Sequence, residues 1–303
     1  MAIITTGAHP KALWPGINAW WGRTYNEHKT EYTDLFDTET SKQNYEEDVQ
    51  VTGFGLAPVK TQGSPVSYDS EQQGFVSRYT HVAYALGYIV TKEELDDNLY
   101  MTVSKRRAQA NAFSMRQTKE NVGANIYNRA FNAAYTYGDG VSLINAAHPN
   151  TTGGTFSNQI ATASDLSEAS IEDMIIQIMG ATNDRGLKIN LMPECLNVPR
   201  QLWFEANRIL KSVLQNDTAN NATNVLSATN ALPKGIKVNH YFTDPNAWFI
   251  RTNCPNGLKH FERVSAQFTQ DNDFDTENAK AKCYERYSFG ITDPRAIYAS
   301  AGA

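Results

Sequence analysis

Only a few side chains of this 303-residue chain carry chemistry that catalysis or metal binding requires. The six histidines, His9, His28, His81, His148, His240 and His260, are scattered. None lies three or four residues from another, so no helix face presents two imidazoles to a metal. His148, beside Pro149, sits in a loop where a general base could act. No nucleophile or carboxylate is placed for it, so a hydrogen-bonded loop histidine is the expectation. The run Asp271-Asn272-Asp273-Phe274-Asp275 has the alternating oxygens of a calcium loop. Its sixth position is Thr276 rather than glycine and its twelfth is Lys282 rather than glutamate, so it reads as a solvated turn. Cys195, Cys254 and Cys283 are far apart and form no CxxC, which fits reduced structural thiols. Gly53-Phe54-Gly55 continues into Leu56-Ala57-Pro58 and cannot open the helix of a dinucleotide site. No GxxxxGK[ST], GxSxG or HExxH occurs. The sequence therefore assigns no catalytic, cofactor-binding or metal-binding residue. The rival reading is a hydrolase or other enzyme whose site only the fold assembles, with His148, Asp271 and Asp273 as its candidates.

One charged cluster stands out. Lys105-Arg106-Arg107 could meet phosphate or an acidic protein surface, although a charge run on a helix usually marks a solvated face. Acidic partners are available in Asp34, Asp37, Glu39, Glu46, Glu47 and Asp48. If they came from a neighbouring subunit, complementary charge would set register more than affinity.

The elements that must position these residues begin with a long helical pattern over residues 91–135. At 1.5 Å per residue such a helix would run roughly 60 Å, more than a domain of this size encloses. Thr91-Lys92-Glu93-Glu94 reads as a capping box at its start, and Gly138-Asp139-Gly140 as its stop. Leu95, Leu99 and Val103, then Val122, Ile126 and Ala130, give apolar stripes at its ends, while the middle is polar and basic. That pattern predicts a strut anchored at its ends and solvated in its centre. Before it, residues 1–49 are polar and aromatic with a short helix over residues 16–28, and gain little by folding on themselves. Residues 50–90 read as a two-stranded extension with a Gly/Pro-rich tip over residues 59–74 and Val82, Tyr84, Leu86 and Tyr88 alternating on one face. After the long helix come a second helix with Ile171, Met174, Ile175 and Ile178 at helical spacing, a buried strand near residues 194–198, and a helix opened by Pro199. Residues 215–230 read as an exposed loop. Two strands near residues 236–251 and three in residues 258–298 complete an α+β chain.

A net charge of −5 offers no basic field for holding nucleic acid, so strong nonspecific binding is not expected. No run approaches the roughly eighteen apolar residues of a membrane helix, and Met1-Ala2-Ile3-Ile4-Thr5 lacks the pattern of a signal peptide, so cytosolic origin without a membrane is expected.

Several phrases, in order, resemble the major capsid (head) proteins of tailed bacteriophages, in particular the Mu-like family. They are Asp139-Gly140-Val141-Ser142-Leu143 leading to Ala147-His148-Pro149, Leu166-Ser167, Arg185-Gly186-Leu187-Lys188-Ile189-Asn190, Arg208-Ile209-Leu210-Lys211-Ser212, and the close from Asp271 through Glu285-Arg286-Tyr287-Ser288-Phe289-Gly290 to Thr292-Asp293-Pro294-Arg295. The resemblance implies the HK97-type fold. Its parts would be an N-terminal arm (1–49), an extended E-loop (50–90), a peripheral domain built on the spine helix and the following loop (91–167), an axial domain (168–257), and peripheral-domain strands (258–303). It implies self-assembly of pentamers and hexamers into an icosahedral head around double-stranded DNA that is bound without sequence specificity. Its partners would be a separate scaffold protein, since no long charged prodomain precedes Ile3, together with portal and decoration proteins. Assembly would take place in the bacterial cytoplasm and the product would be the virion. Trp20, Trp21 and Phe36 are then expected to be buried mainly by a neighbouring subunit. Some shells of this type link an E-loop lysine to a neighbour's asparagine. That chemistry needs a desolvated lysine, which Lys60, near the tip, does not supply, so no crosslink is expected. A decoration or tail-tube protein is a further structural alternative.

Overall fold

The computed structural model describes residues 14–96, 100–215, 222–273 and 275–302, excluding the side chains of 14–17 and 95–104. Two four-stranded sheets organise it. The first has the order β1 (Asp37–Thr40), β10 (Leu258–Asn272), β11 (Ala279–Ile291), β4 (Val82–Val90). β10 and β11 form a long antiparallel hairpin, β4 adds antiparallel to β11, and β1 runs parallel to β10. The second sheet has the order β12 (Ile297–Ser300), β9 (Trp248–Thr252), β7 (Pro193–Pro199), β8 (Ile236–Asn239). Its central strands β7 and β9 are buried almost throughout, as a strand with covered faces requires. Two small ladders complete the strands: β2 (Tyr45–Thr52) with β3 (Gln72–Thr80), and β5 (His148–Pro149) with β6 (Thr155–Phe156).

Helix α5 (Glu168–Met179) begins where the Leu166-Ser167 phrase stands. Ser167 and Ser170 close a reciprocal cap there, each side chain accepting from the other's backbone N–H. Its Ile171, Met174, Ile175 and Ile178 face a core shared with α6 (Trp203–Lys211), α7 (Val225–Ala228) and the second sheet, centred on the fully buried Trp248. Residues 200–202 turn as a short 3-10 segment between β7 and α6. The stretch read as an exposed loop thus carries α7, whose Leu226 is buried; residues 216–221 of it lie outside the described residues.

Several expectations are corrected. The long helix is two elements, α3 (Lys92–Asp96) and α4 (Tyr100–Asn128), and α4 ends before residue 135. The Glu94 carboxylate, expected to close a capping box, instead pairs with Arg107 at 2.8 Å. Thirteen residues along one straight helix would separate those α-carbons by about 20 Å, beyond the reach of both side chains, so α3 and α4 are not collinear. The side chains of Leu95, Leu99 and Val103 lie outside the described residues.

The centre of α4 is buried, not solvated. Ala108, Asn111, Ala112, Met115, Lys119, Glu120 and Ala124 form a continuous inward stripe at helical spacing. What covers it is the N-terminal segment, whose composition predicts little gain from folding on its own chain. Helix α1 (Trp14–Glu27) lies along α4, with Trp21 packed on Tyr25 and Phe268 at ring-centroid distances of 4.9 and 5.5 Å. The Trp21 indole N–H donates to Asn111 Oδ1 at 2.9 Å. Phe36, after α2 (Tyr32–Leu35), is buried among Tyr127 and Phe289. Trp21 and Phe36 are therefore covered by their own chain, and Trp20 is half-buried in the same cluster. Alanines at 108 and 112 let the two helices approach closely enough for this, a role that hydropathy does not register.

Sheet membership also cuts across the segments expected from the sequence. β4 leaves the two-stranded extension and joins the first sheet, so the extension proper is β2, β3 and the irregular residues 53–71 between them. β12, expected with the C-terminal strands of the first sheet, crosses to the second.

Candidate functional site

The residues with chemical potential are dispersed and occupied. His148 is fully buried on β5 and stacked on Phe156. Its Nδ1 lies 2.6 Å from Asp139 Oδ2 and its Nε2 3.0 Å from Asn158 Oδ1. Asn158 Nδ2 donates to the Leu143 and Pro294 carbonyls, which fixes Oδ1 toward the ring. Both imidazole nitrogens are thus within hydrogen-bond distance of side chains of their own chain, and the ring is closed off from solvent. Through Asn158, His148 ties the loop after α4 to the Pro294 turn that follows β11. Asp139→Asn should lower stability by about 1.5–3 kcal/mol, the usual worth of a hydrogen bond to a charged group, read as a shifted urea midpoint with unchanged slope.

Asp271 and Asp273 lie at the far end of the β10–β11 hairpin, some thirteen residues or about 40 Å along β10 from the end near His148. Asp273 pairs with Lys280 at 2.6 Å, an interaction that holds its carboxyl below the ordinary aspartate range. Phe274 lies outside the described residues. The three candidate residues are not brought together. Among the described residues no group of His, Cys, Asp and Glu could hold a metal, and no helix is long and apolar enough to cross a membrane. The cysteines are free; burial pushes the Cys195 thiol up to about 11 and that of Cys283 up to about 12, the opposite of an activated nucleophile. A cleft of about 370 Å³ between β2 and the body is lined by Asp48, Asp184 and Asp293. These acids are already taken by Lys259 at 2.7 Å and by Arg295 at 2.8 and 3.5 Å.

The basic cluster finds its partners within the chain: Arg107 on Glu94, and Lys105 over the Trp20 ring. The acidic residues of the N-terminal region do not meet it. Asp34 pairs with Lys237 at 2.8 Å, Asp37 with Arg251 at 2.6 Å, and Glu39 and Asp48 with Lys259 at 3.5 and 2.7 Å. Glu31 adds His240 at 2.5 Å. These contacts strap residues 31–48 across both sheets.

A feature the sequence did not disclose lies beneath α1. Lys119, with its side chain 2% exposed, reaches Glu262 at 3.0 Å and Glu285 at 3.9 Å, and sits over the rings of Tyr32 and Tyr287. Glu285 is wholly buried and accepts from the Tyr25 hydroxyl at 3.0 Å. Desolvation raises its carboxyl above the ordinary glutamate range, and Lys119 counters only part of that. Arg116 lies over Tyr25 at 4.4 Å. Glu120, also buried, accepts from the backbone N–H groups of Glu31 and Tyr32, which orients α2. The signal was present as charges at the spacing of the α4 stripe, but polarity counted against burial.

The surface carries the remaining function. Phe54, Leu56, Val59, Val66 and Tyr68 on the tip of the β2–β3 extension are largely uncovered, Val59 and Tyr68 being 94% and 93% exposed. Among the described residues the base of the extension is tied down by Gln50 donating to the Thr292 carbonyl at 2.8 Å and by Asp48 on Lys259 and Thr292, and one side by Arg185 at 3.6 Å from Asp69 and bonded to Ser70. Lys60 is exposed on the same tip. Apolar exposure on this scale marks a surface that meets another molecule.

Comparison with known proteins matches this architecture. A search of curated proteins gave no match. Among solved structures, a virus-like particle from Pyrococcus furiosus is similar, with TM-score 0.52, 11% identity, and coverage of 94% of this chain and 97% of that one. A chain of Mycobacterium phage Adephagia is similar with TM-score 0.54 and 10% identity over 91% of both chains. The capsid of a native GTA particle is similar with TM-score 0.55 and 11% identity, again over 91% of both. At these identities the likeness shows the fold, the mixed helix-and-sheet HK97-type fold of phage capsids. The family model described as phage capsid protein matches residues 75–300, from within β3 to the end of β12. With three quarters of its length inside that match and an apolar surface left for neighbours to cover, the chain belongs to the phage capsid protein family, as a major, shell-forming subunit.

Proposed function

We propose that this subunit, of the Mu-like branch, assembles into pentamers and hexamers that close an icosahedral head around double-stranded DNA. The observation that carries this reading is the β2–β3 extension, whose apolar tip nothing among the described residues covers. In the shell it serves as the E-loop and lies on an adjacent subunit. The first sheet with α4 forms the peripheral domain, and the second sheet with α5, α6 and α7 the axial domain. The function is mechanical. The net charge of −5 suits a wall along which packaged DNA slides without sequence-specific contact. A separate scaffold, a portal and decoration proteins are its partners, assembly takes place in the bacterial cytoplasm, and the mature location is the virion.

Electron microscopy of the purified protein tests the reading. Hollow shells or rings support it, and a monodisperse monomer under every salt and scaffold condition overturns it. Changing Leu56, Val59 and Tyr68 together to serine should abolish shells while shifting the stability of the isolated chain by no more than about 0.5 kcal/mol, because exposed side chains outside any network contribute little to folding.

A further inference from the structure

Resting on the shell reading, we propose that the outer face of α5 on one subunit docks on the outer face of α6 on the next, so that neighbours join head to tail and the contact closes into a ring. Both helices turn an apolar stripe into the same core and leave an opposite face without cover. On α5 that face carries Glu172, Asp173, Ile176 and Met179, with Ile176 64% exposed. On α6 it carries Trp203 and Phe204, whose rings lie 4.9 Å apart as one patch, Phe204 being 70% exposed. Arg200 in the preceding turn and Lys211 in the last turn flank that patch.

The charges select the partner. Glu172 and Asp173 have no ion-pair partner among the described residues, nor do Arg200 and Lys211. Lys188 at the end of α5 is engaged by the Gly180 carbonyl and Glu205 on α6 by Arg208, so the charges left unpaired among the described residues are of one sign on each face, acidic on α5 and basic on α6, each beside an apolar pair. A two-fold contact would set like against like, acid on acid or base on base, which is costly. A head-to-tail contact pairs every charge with its opposite. The fold places the two faces where such a contact needs them, because α5 packs against β12 at one edge of the second sheet while α6 packs against β7 and β8 at the other. A surface that offers one half of a complementary pair on each flank propagates around a ring, as heterologous interfaces do.

The test is charge reversal read by assembly. Glu172→Lys with Asp173→Lys, and separately Arg200→Glu with Lys211→Glu, should each raise the protein concentration needed for rings or shells at least about tenfold, through like-charge contact. The four changes combined restore complementarity and should recover assembly. All altered positions are exposed, and unchanged thermal unfolding of each isolated variant confirms that folding is not the cause. If the unaltered protein forms neither rings nor shells, the shell reading itself fails. If it assembles while either reversal has no effect, or the combined variant stays unassembled, the α5–α6 contact is wrong and the shell reading stands.

Discussion

Lys119→Met should cost the isolated chain about 3–5 kcal/mol, the usual penalty for leaving a buried charge without its partner. Among the described residues Lys119 alone lies within ion-pair distance of Glu285, whose carboxylate is fully enclosed by α1, α4 and the first sheet. Removing the ammonium leaves that carboxylate either charged in a dry site or neutralised at the expense of taking up a proton. The helix itself is indifferent, since methionine is as good a helix former as lysine and fits the same stem. The loss should therefore reverse in large part when Glu285→Gln is added, because the amide oxygen can still accept from Tyr25 and the charge that remains, on Glu262, is partly solvated. Urea unfolding of the four proteins of this cycle measures the coupling. A double variant no more stable than Lys119→Met alone would show that the cost arises from lost packing over Tyr32 and Tyr287 rather than from charge.

His260 should make the fold acid-labile. It is enclosed by Phe289, Tyr32 and Tyr287, with ring centroids 4.4, 5.0 and 5.9 Å away. Burial, reinforced by Lys119, pushes it down to about 3 from an ordinary value of 6.5. Above 6.5 the ring is neutral in both folded and unfolded chains and costs nothing. Between 6.5 and 3 the unfolded chain takes up a proton that the folded chain refuses, so stability falls as pH falls, by about 1.4 kcal/mol per unit and at most about 5 kcal/mol in all. Glu120 and Glu285, raised by burial, act with the opposite sign: their contribution is present at low pH and is lost as pH rises through their raised values. The variant separates the two. Among the described residues Nε2 of His260 has no hydrogen-bond partner and Nδ1 has only Thr38 at 3.4 Å, so His260→Phe should be nearly neutral at pH 7. Between pH 6.5 and 4 it should flatten the fall in the urea midpoint. An unchanged slope would mean that other groups govern the acid response.

Much of the fold was legible because its elements follow simple periodicities. The α5 stripe of Ile171, Met174, Ile175 and Ile178, the buried strand β7 and the β10–β11 hairpin all sit where alternation or helical spacing placed them. The scattering of the histidines was equally plain, since it is read directly from their spacing. The α4 centre was misread for a specific reason. Lys119, Arg116 and Glu120 occupy inward positions at helical spacing, but their burial depends on Tyr25, Tyr32, Glu262 and Glu285, which come from α1, α2, β10 and β11. No window along α4 contains those partners.

The chain's own order of residues determined which elements form and that none of them carries a local catalytic or metal motif, because helix and strand periods, caps and short motifs are set by neighbours in sequence. Tertiary structure alone decided that α3 and α4 part, that the N-terminal region closes over α4, that β4 and β12 change company, and which apolar faces stay open for a second copy. Each of these rests on contacts between residues far apart in the chain. Whether a charge is buried with its counter-charge or left in water is fixed by those contacts, not by the residues on either side of it.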